Sequence, residues 1–310
     1  MSAVPTPPEA ASPGTSPPSP AGTPAGPPPD SASARRRVWD EQAGWWKRTF
    51  TGGADPEYVH EILPIAQAEL AGCRRVLDLG CGEGQVARHL LASGAVRGGV
   101  VGLDPSAAQL ANALSASPPS APAGPSGEQP FARGRPRVPA VPAAAPVYCR
   151  GEGERLPFAD QSFDGVICSL AIEHAEDVDA VLEEVARVLA PGGCFLLLVN
   201  HPLFQGTGSG FVDDQVLDER YWRVGPYLVE DLAWEEVDAG VWIPFAHRPL
   251  SRYVNPLGAR DVVLTRLLEP PPDPELVAGS LDPELERAIP RLLAMRFERR
   301  PPGGGRWPST

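Results

Sequence analysis

Residues 76–84 of the chain read VLDLGCGEG. Val76, Leu77 and Leu79 form an apolar run interrupted by Asp78, and Gly80, Gly82 and Gly84 follow at alternate positions. In the next stretch, QVARHLLASG, Val86, Ala87, Leu90 and Leu91 fall at helical spacing and Gly94 stands where a helix stops. The reading is strand, glycine loop, helix. Glycine lets the backbone come close to a ligand, and the helix start offers unpaired N–H groups and the positive end of its dipole. Such a loop suits a ligand with a negative group, a carboxylate or a phosphate.

Two ligand classes compete. A dinucleotide loop follows G-x-G-x-x-G, but here the third position is Gln85. Asp78, two residues before the first glycine, would repel a pyrophosphate and suit an ammonium. An amino acid carries both a carboxylate for the loop and an ammonium for the acid. VLDLGCGEG closely resembles motif I of the class I S-adenosylmethionine (SAM) methyltransferases, whose ligand has a methionine tail. That resemblance implies SAM as cofactor, held by Asp78, Gly80, Cys81 and Gly82. The plain alternative is a glycine turn with no ligand.

The flanking sequence sorts into ordered and unordered stretches. Of 310 residues, 39 are proline, well above the usual ~5%. Residues 1–33 are Pro, Ala, Ser, Gly and Thr with almost no large apolar side chain, so a disordered tail is expected. Residues 115–146, again Pro-, Ala- and Gly-rich, read as a disordered insertion, and 301–310 as a second tail. One domain is expected over 34–300. At its start, Trp39, Trp45, Trp46 and Phe50 are too many aromatics for a tail. They either cap the sheet or, through Trp45 and Trp46, cover the pocket. A helix is expected over 56–70, with Asp55 at its N-cap, Pro56 at N1 and a stripe of Val59, Ile62, Leu63 and Ala66.

Beyond the glycine loop the pattern alternates. VRGGVVGLD is a second strand ending at Asp104, about twenty residues past the loop, where a carboxylate can bind both ribose hydroxyls. Pro105 and Ser106 start the next helix, and Pro105, like Gly153 further on, is expected among the cofactor-binding residues. Val147–Arg150 is a third strand and Phe163–Ser169 a fourth, with an amphipathic helix over 177–189 and a fifth strand, CFLLLVN. GEGERLPFADQSFDGVICS resembles the family's next signature. It implies that Glu152, beside Gly153, meets the adenine amino group. Strands alternating with helices make a doubly wound, Rossmann-like α/β sheet with its ligands at the carboxyl ends of the strands. That nominates Gly80–Gly82, Asp104, Glu152, Ser169–Ala171, Asn200 and His201. Residues 201–250 are dense in aromatics and read as an insertion after the fifth strand, a substrate lid whose Trp222 and Trp242 close over the acceptor; the alternative is that Trp222, Trp234 and Trp242 only pack the lid onto the sheet. Residues 251–300 supply a short helix and two more strands. The resemblance, here to the type-11 group of bacterial small-molecule methyltransferases, implies seven strands with the last antiparallel.

The chemistry follows from the cofactor. A sulfonium methyl is already activated, so the protein needs to align the acceptor, exclude water and, for O or N acceptors, accept a proton. Candidate bases are His174, His201 and His247; each has a capping or solvated alternative. Neither a metal-ligand spacing nor a G-x-S-x-G elbow is present. The formal net charge of −12 speaks against a nucleic-acid partner. The five scattered cysteines read as reduced, buried thiols in a cytoplasmic protein, without secretory signal or membrane span. The expected activity is methyl transfer from SAM to a small molecule. An RNA or protein methyltransferase and a non-catalytic SAM-binding protein are the alternatives.

Overall fold

The computed structural model describes residues 31–116 and 145–301. Nearly all of the two expected tails and of the 115–146 insertion lies outside the described residues.

Helix α1 (Ala32–Glu41) begins two residues inside the segment read as tail, because the Ser31 hydroxyl accepts the Ala34 N–H at 3.2 Å and caps it. It is followed by α2 (Ala43–Phe50) and by a helical stretch from Pro56, whose Tyr58–Ile62 turn is π-helical before it continues as α3 (Leu63–Glu69). The π turn corrects the expected stripe. A wider turn breaks the 3.6-residue spacing, so Val59 faces solvent at 38% exposure while Tyr58, Ile62 and Ala66 are buried.

The Rossmann-like core then runs β1 (Arg75–Leu79), α4 (Gln85–Ala92), β2 (Gly99–Asp104), α5 (Ala107–Ser115), β3 (Val147–Arg150), β4 (Phe163–Ser169), α6 (Val178–Val188) and β5 (Leu189–Asn200). After it come α7 (Pro202–Gln205), the strands β6 (Gly210–Asp214), β7 (Glu219–Arg223), β8 (Asp231–Asp238) and β9 (Val241–His247), helix α8 (Ser251–Gly258), β10 (Val262–Leu268), the short helices α9 (Pro274–Val277) and α10 (Pro283–Arg287), and β11 (Leu292–Arg299).

Seven strands form one sheet in the order β3-β2-β1-β4-β5-β11-β10. The five strands β1 to β5 are parallel, and β11 runs antiparallel between β5 and β10. This is the expected α/β architecture with its last strand reversed. Successive residues of the central strands alternate between two cores. Leu77, Val166, Phe195, Leu197 and Phe297 pack with Val181, Leu182 and Tyr253 on the face covered by α6 and α8. Val76, Ile167, Leu196 and Leu198 pack with Ile62, Ala66, Leu70, Val86 and Leu90 on the face covered by α3 and α4. Burial on both sides is why these strands read as continuous apolar runs.

The aromatic segment after β5 folds as two antiparallel hairpins, β6–β7 and β8–β9. Within the first, Trp222 stacks on Phe204 at 4.9 Å, meets Phe211 edge-on at 4.8 Å, and donates its indole N–H to the Leu203 carbonyl. Its aromatics therefore make a small core of their own with α7.

Candidate active site

The carboxyl ends of β1 to β4 surround one cavity. On this side the loop after β1 turns through Gly80, Gly82 and Gly84 at φ +72°, +51° and +78°. A Cβ on Gly80 would stand 2.3 Å from the Ala171 Cβ, and one on Gly84 would strike the Tyr148 ring. Asp78 is buried at the end of β1, and its Oδ2 accepts the Ala87 N–H at 3.1 Å, in the first turn of α4. Burial pushes its pKa up to about 7 against the pull of that N–H. At the end of β2, Asp104 accepts the Gly82 N–H on one oxygen and the Ser106 N–H on the other, both at 2.8 Å. Its pKa is raised by burial to about 6, opposed by the two N–H groups. The Cys81 thiol is pushed up by burial. Two buried atoms on the wall, Ser169 Oγ and Gln109 Oε1, have no hydrogen-bond partner among the described residues.

The nine residues expected to hold the cofactor line this cavity together: Asp78, Gly80, Cys81, Gly82, Asp104, Pro105, Glu152, Gly153 and Ser169; Asn200, also nominated from its strand end, does not line it and donates its backbone N–H to Glu173. The rest of the lining comes from the amino-terminal helices and the turn after β4: Arg35, Arg36, Trp39, Trp46, Tyr58 and His174. Of the two tryptophans expected to cover the pocket, Trp46 lines it. Trp45 instead donates its indole N–H to Asp238 Oδ2 at 2.9 Å, tying α2 to the β8–β9 turn.

No residue of the expected lid, 201–250, is among those lining the cavity. Hairpin β8–β9 backs the wall instead of facing it. His174 stands on a 3₁₀ turn (Ile172–His174) with its ring between Trp39 at 4.6 Å and Phe245 at 4.8 Å. Its Nδ1 lies 2.7 Å from the Pro244 carbonyl, which assigns the proton to Nδ1, and the Leu170 backbone also acts on the ring. Burial lowers its pKa to about 4. Arg248, just past β9, holds the same turn by donating to the carbonyls of Ile172 and Ala175.

The other two histidines lie away from the cavity wall. His201 is buried, accepts the Leu203 N–H on Nδ1 as the cap of α7, and meets Glu269 through Nε2 at 2.9 Å. His247 is buried with Nε2 on the Tyr227 carbonyl at 2.9 Å. Sequence reading left Arg35, Arg36, Tyr58 and Gln109 unassigned. The arginines carry no motif, Tyr58 owes its position to the π turn, and Gln109 is one polar residue in an ordinary helix.

A family model described as a methyltransferase domain matches residues 77–197. An uncharacterized methyltransferase of Synechocystis is 32% identical over 171 residues, which cover 53% of this chain and 67% of that protein. The chain belongs to the class I SAM-dependent methyltransferases. A demethylmenaquinone methyltransferase of Symbiobacterium thermophilum is 29% identical over 178 residues, 57% of this chain and 59% of that enzyme. The methyltransferase thus spans about two thirds or less of these curated relatives. A crystal structure of a SAM-dependent methyltransferase from Mesorhizobium loti superimposes with a TM-score of 0.57 at 26% identity, covering 76% of this chain and 96% of that one.

Proposed function

We propose that this methyltransferase moves the methyl group of SAM to a small, flat, largely apolar molecule seated against Trp39, Trp46 and Tyr58. One observation carries the reading: residues from four separate strand ends meet around one cavity that Trp39, Trp46 and Tyr58 also line. The cofactor side fits SAM in its chemistry. Asp104 offers carboxylate oxygens to ribose hydroxyls, Asp78 suits an ammonium, and Glu152 suits an adenine amino group. Ser169 Oγ is an unsatisfied buried polar atom on the same wall. When bound, SAM supplies an activated methyl on a sulfonium.

The remaining work belongs to the chain. Trp39 and Trp46 exclude water and present flat faces for an apolar body. His174 is neutral at pH 7 and offers the Nε2 lone pair to a hydroxyl or amine, which orients the acceptor. With a pKa of about 4 it is a weak base, so it suits an acceptor that sheds its proton readily. The Symbiobacterium relative is named for demethylmenaquinone, so quinols and phenols are the first acceptors to try.

The experiment is acceptor-dependent formation of S-adenosylhomocysteine by the full chain, with quinols, phenols and fractionated metabolites on one arm and RNA and protein on the other. Turnover with a small-molecule fraction supports the proposal. Turnover confined to RNA or protein overturns it.

A further inference from the structure

Cys73 and Cys194 meet at the end of the sheet opposite the cavity. Cys73 lies two residues before β1 and Cys194 within β5, with β4 running between those strands. Their sulfurs are nonetheless 3.7 Å apart. Gly165 of β4 makes this possible. It pairs with Val76 on one side and with Cys194 on the other. A Cβ there would stand 3.0 Å from the Cys73 sulfur and 3.3 Å from its Cβ, so any side chain at 165 would enter the gap.

The surroundings suit thiol exchange. Cys73 is partly exposed and Cys194 is buried behind it. The two thiols share a hydrogen bond that, with the positive charge of Arg296 and against burial, holds the Cys194 thiol below its ordinary pKa, while the same bond and burial push the Cys73 thiol up.

We propose that Cys73 and Cys194 form a modification site, a dithiol that closes to a disulfide across Gly165 in the presence of a low-molecular-weight disulfide such as oxidised glutathione. The partly exposed Cys73, once deprotonated, attacks one sulfur of the oxidant and releases one glutathione thiolate. The Cys194 thiolate then attacks the Cys73 sulfur of the mixed disulfide and expels the second glutathione. Two protein thiols are oxidised, one small disulfide is reduced to two thiols, and the two protons leave with those thiols. Closure brings the sulfurs from 3.7 Å to about 2.05 Å by side-chain rotation into space that Gly165 leaves open. The cross-link joins positions 121 residues apart and so restricts the unfolded chain.

The test treats the folded, full-length protein with oxidised glutathione, blocks remaining thiols, and maps the digest by mass spectrometry. The expected product has lost two hydrogens and yields one linked pair of peptides bearing Cys73 and Cys194. Its melting temperature should rise by at least about 4 °C, return with dithiothreitol, and not rise in Cys73→Ser or Cys194→Ser. SAM affinity should stay within about twofold, since the pair lies at the far end of the strands. Persistent glutathione adducts without a cross-link, links to Cys81, Cys149 or Cys168 instead, or the same thermal shift in Cys73→Ser would each overturn the proposal. Should Cys194→Ser fail to fold, Cys73→Ala at the partly exposed position makes the same comparison.

Discussion

Asp40 of α1 accepts the Ser106 hydroxyl at 2.6 Å and the Ala108 N–H at 3.0 Å, so a residue of the amino-terminal helices helps cap α5. Ser106 in turn donates its N–H to Asp104. The aromatic wall of the cavity is thereby fastened to the acid at the end of β2. These hydrogen bonds, from the Ser106 hydroxyl first, lower the Asp40 pKa. The contribution is present above the ordinary carboxylate range and lost as pH falls through the lowered value. Asp40→Ala should weaken SAM binding roughly three- to tenfold and lower the melting temperature by about 2–4 °C, as the loss of a helix cap does. Calorimetric titration beside a thermal melt checks both.

Asp78 and Asp104 are predicted to make SAM binding pH-dependent. Their pKa values stand at about 7 and about 6 because burial disfavours the charged forms. The sign follows: a carboxyl raised on folding weakens the fold as pH rises through that window, while a cationic ligand favours the ionised form. Affinity should therefore rise with pH, roughly tenfold or more between pH 5.5 and 7.5, with protons released on binding. Titrations in two buffers of different ionisation enthalpy measure that release, and a flat profile would count against both acids as ligand groups.

Gly80→Ala and Gly94→Ala form a matched pair. Both glycines have φ near +70°, at +72° and +74°. Only at Gly80 does the new Cβ meet an obstacle, 2.3 Å from the Ala171 Cβ, whereas nothing lies within 4 Å at Gly94. Gly94→Ala should cost about 1 kcal/mol from backbone strain alone. Gly80→Ala should cost roughly 2–4 kcal/mol and abolish measurable SAM binding. Urea melts and a binding assay separate strain from collision.

How far the sequence reveals this site differs from element to element. The sheet is legible because each central strand is buried on two faces and reads as an unbroken apolar run. The cofactor wall is legible because it sits on loops at strand ends, where glycines and acids have no packing reason to be. The acceptor wall is not, because aromatics serve equally as core and as lining. Trp222 and Trp39 look alike in sequence. One is spent on Phe204 and Phe211, the other on His174 and the cavity. The hairpins escape notice for a related reason. β6, β7 and β8 have no buried residue, and only β9 packs inward, so neither hairpin shows the apolar run of a core strand.

That contrast predicts opposite phenotypes. Trp222→Ala should cost roughly 2 kcal/mol of stability and leave the specific activity of the folded protein intact. Trp39→Ala should melt near the wild type yet lose at least about tenfold in acceptor turnover, with SAM affinity within about threefold. Melting temperature, SAM affinity and methyl transfer on the same two proteins decide the matter.

His174→Gln keeps a polar side chain but not the ring between Trp39 and Phe245. Turnover is expected to fall roughly 10²-fold while SAM binding persists. Because the wild-type ring is neutral down to about pH 4, it should add no acid limb to the rate above about pH 5. Its folded pKa lies below the unfolded one, so stability falls as pH drops from about 6.5 toward 4. A pH–rate profile and acid melts of both proteins test the two statements.

The ties of the amino-terminal helices also set an order of assembly. Asp40 is joined to a residue 66 positions later, and Trp45 to one 193 positions later. A chain growing from its amino end makes α1 and α2 before their partners, and cannot fasten them until Ser106 and then the β8–β9 turn have been made. Such long-range closures are slow, since the loop entropy is spent before the contact forms. In biosynthetic time, these helices wait on residues far downstream before they become a wall.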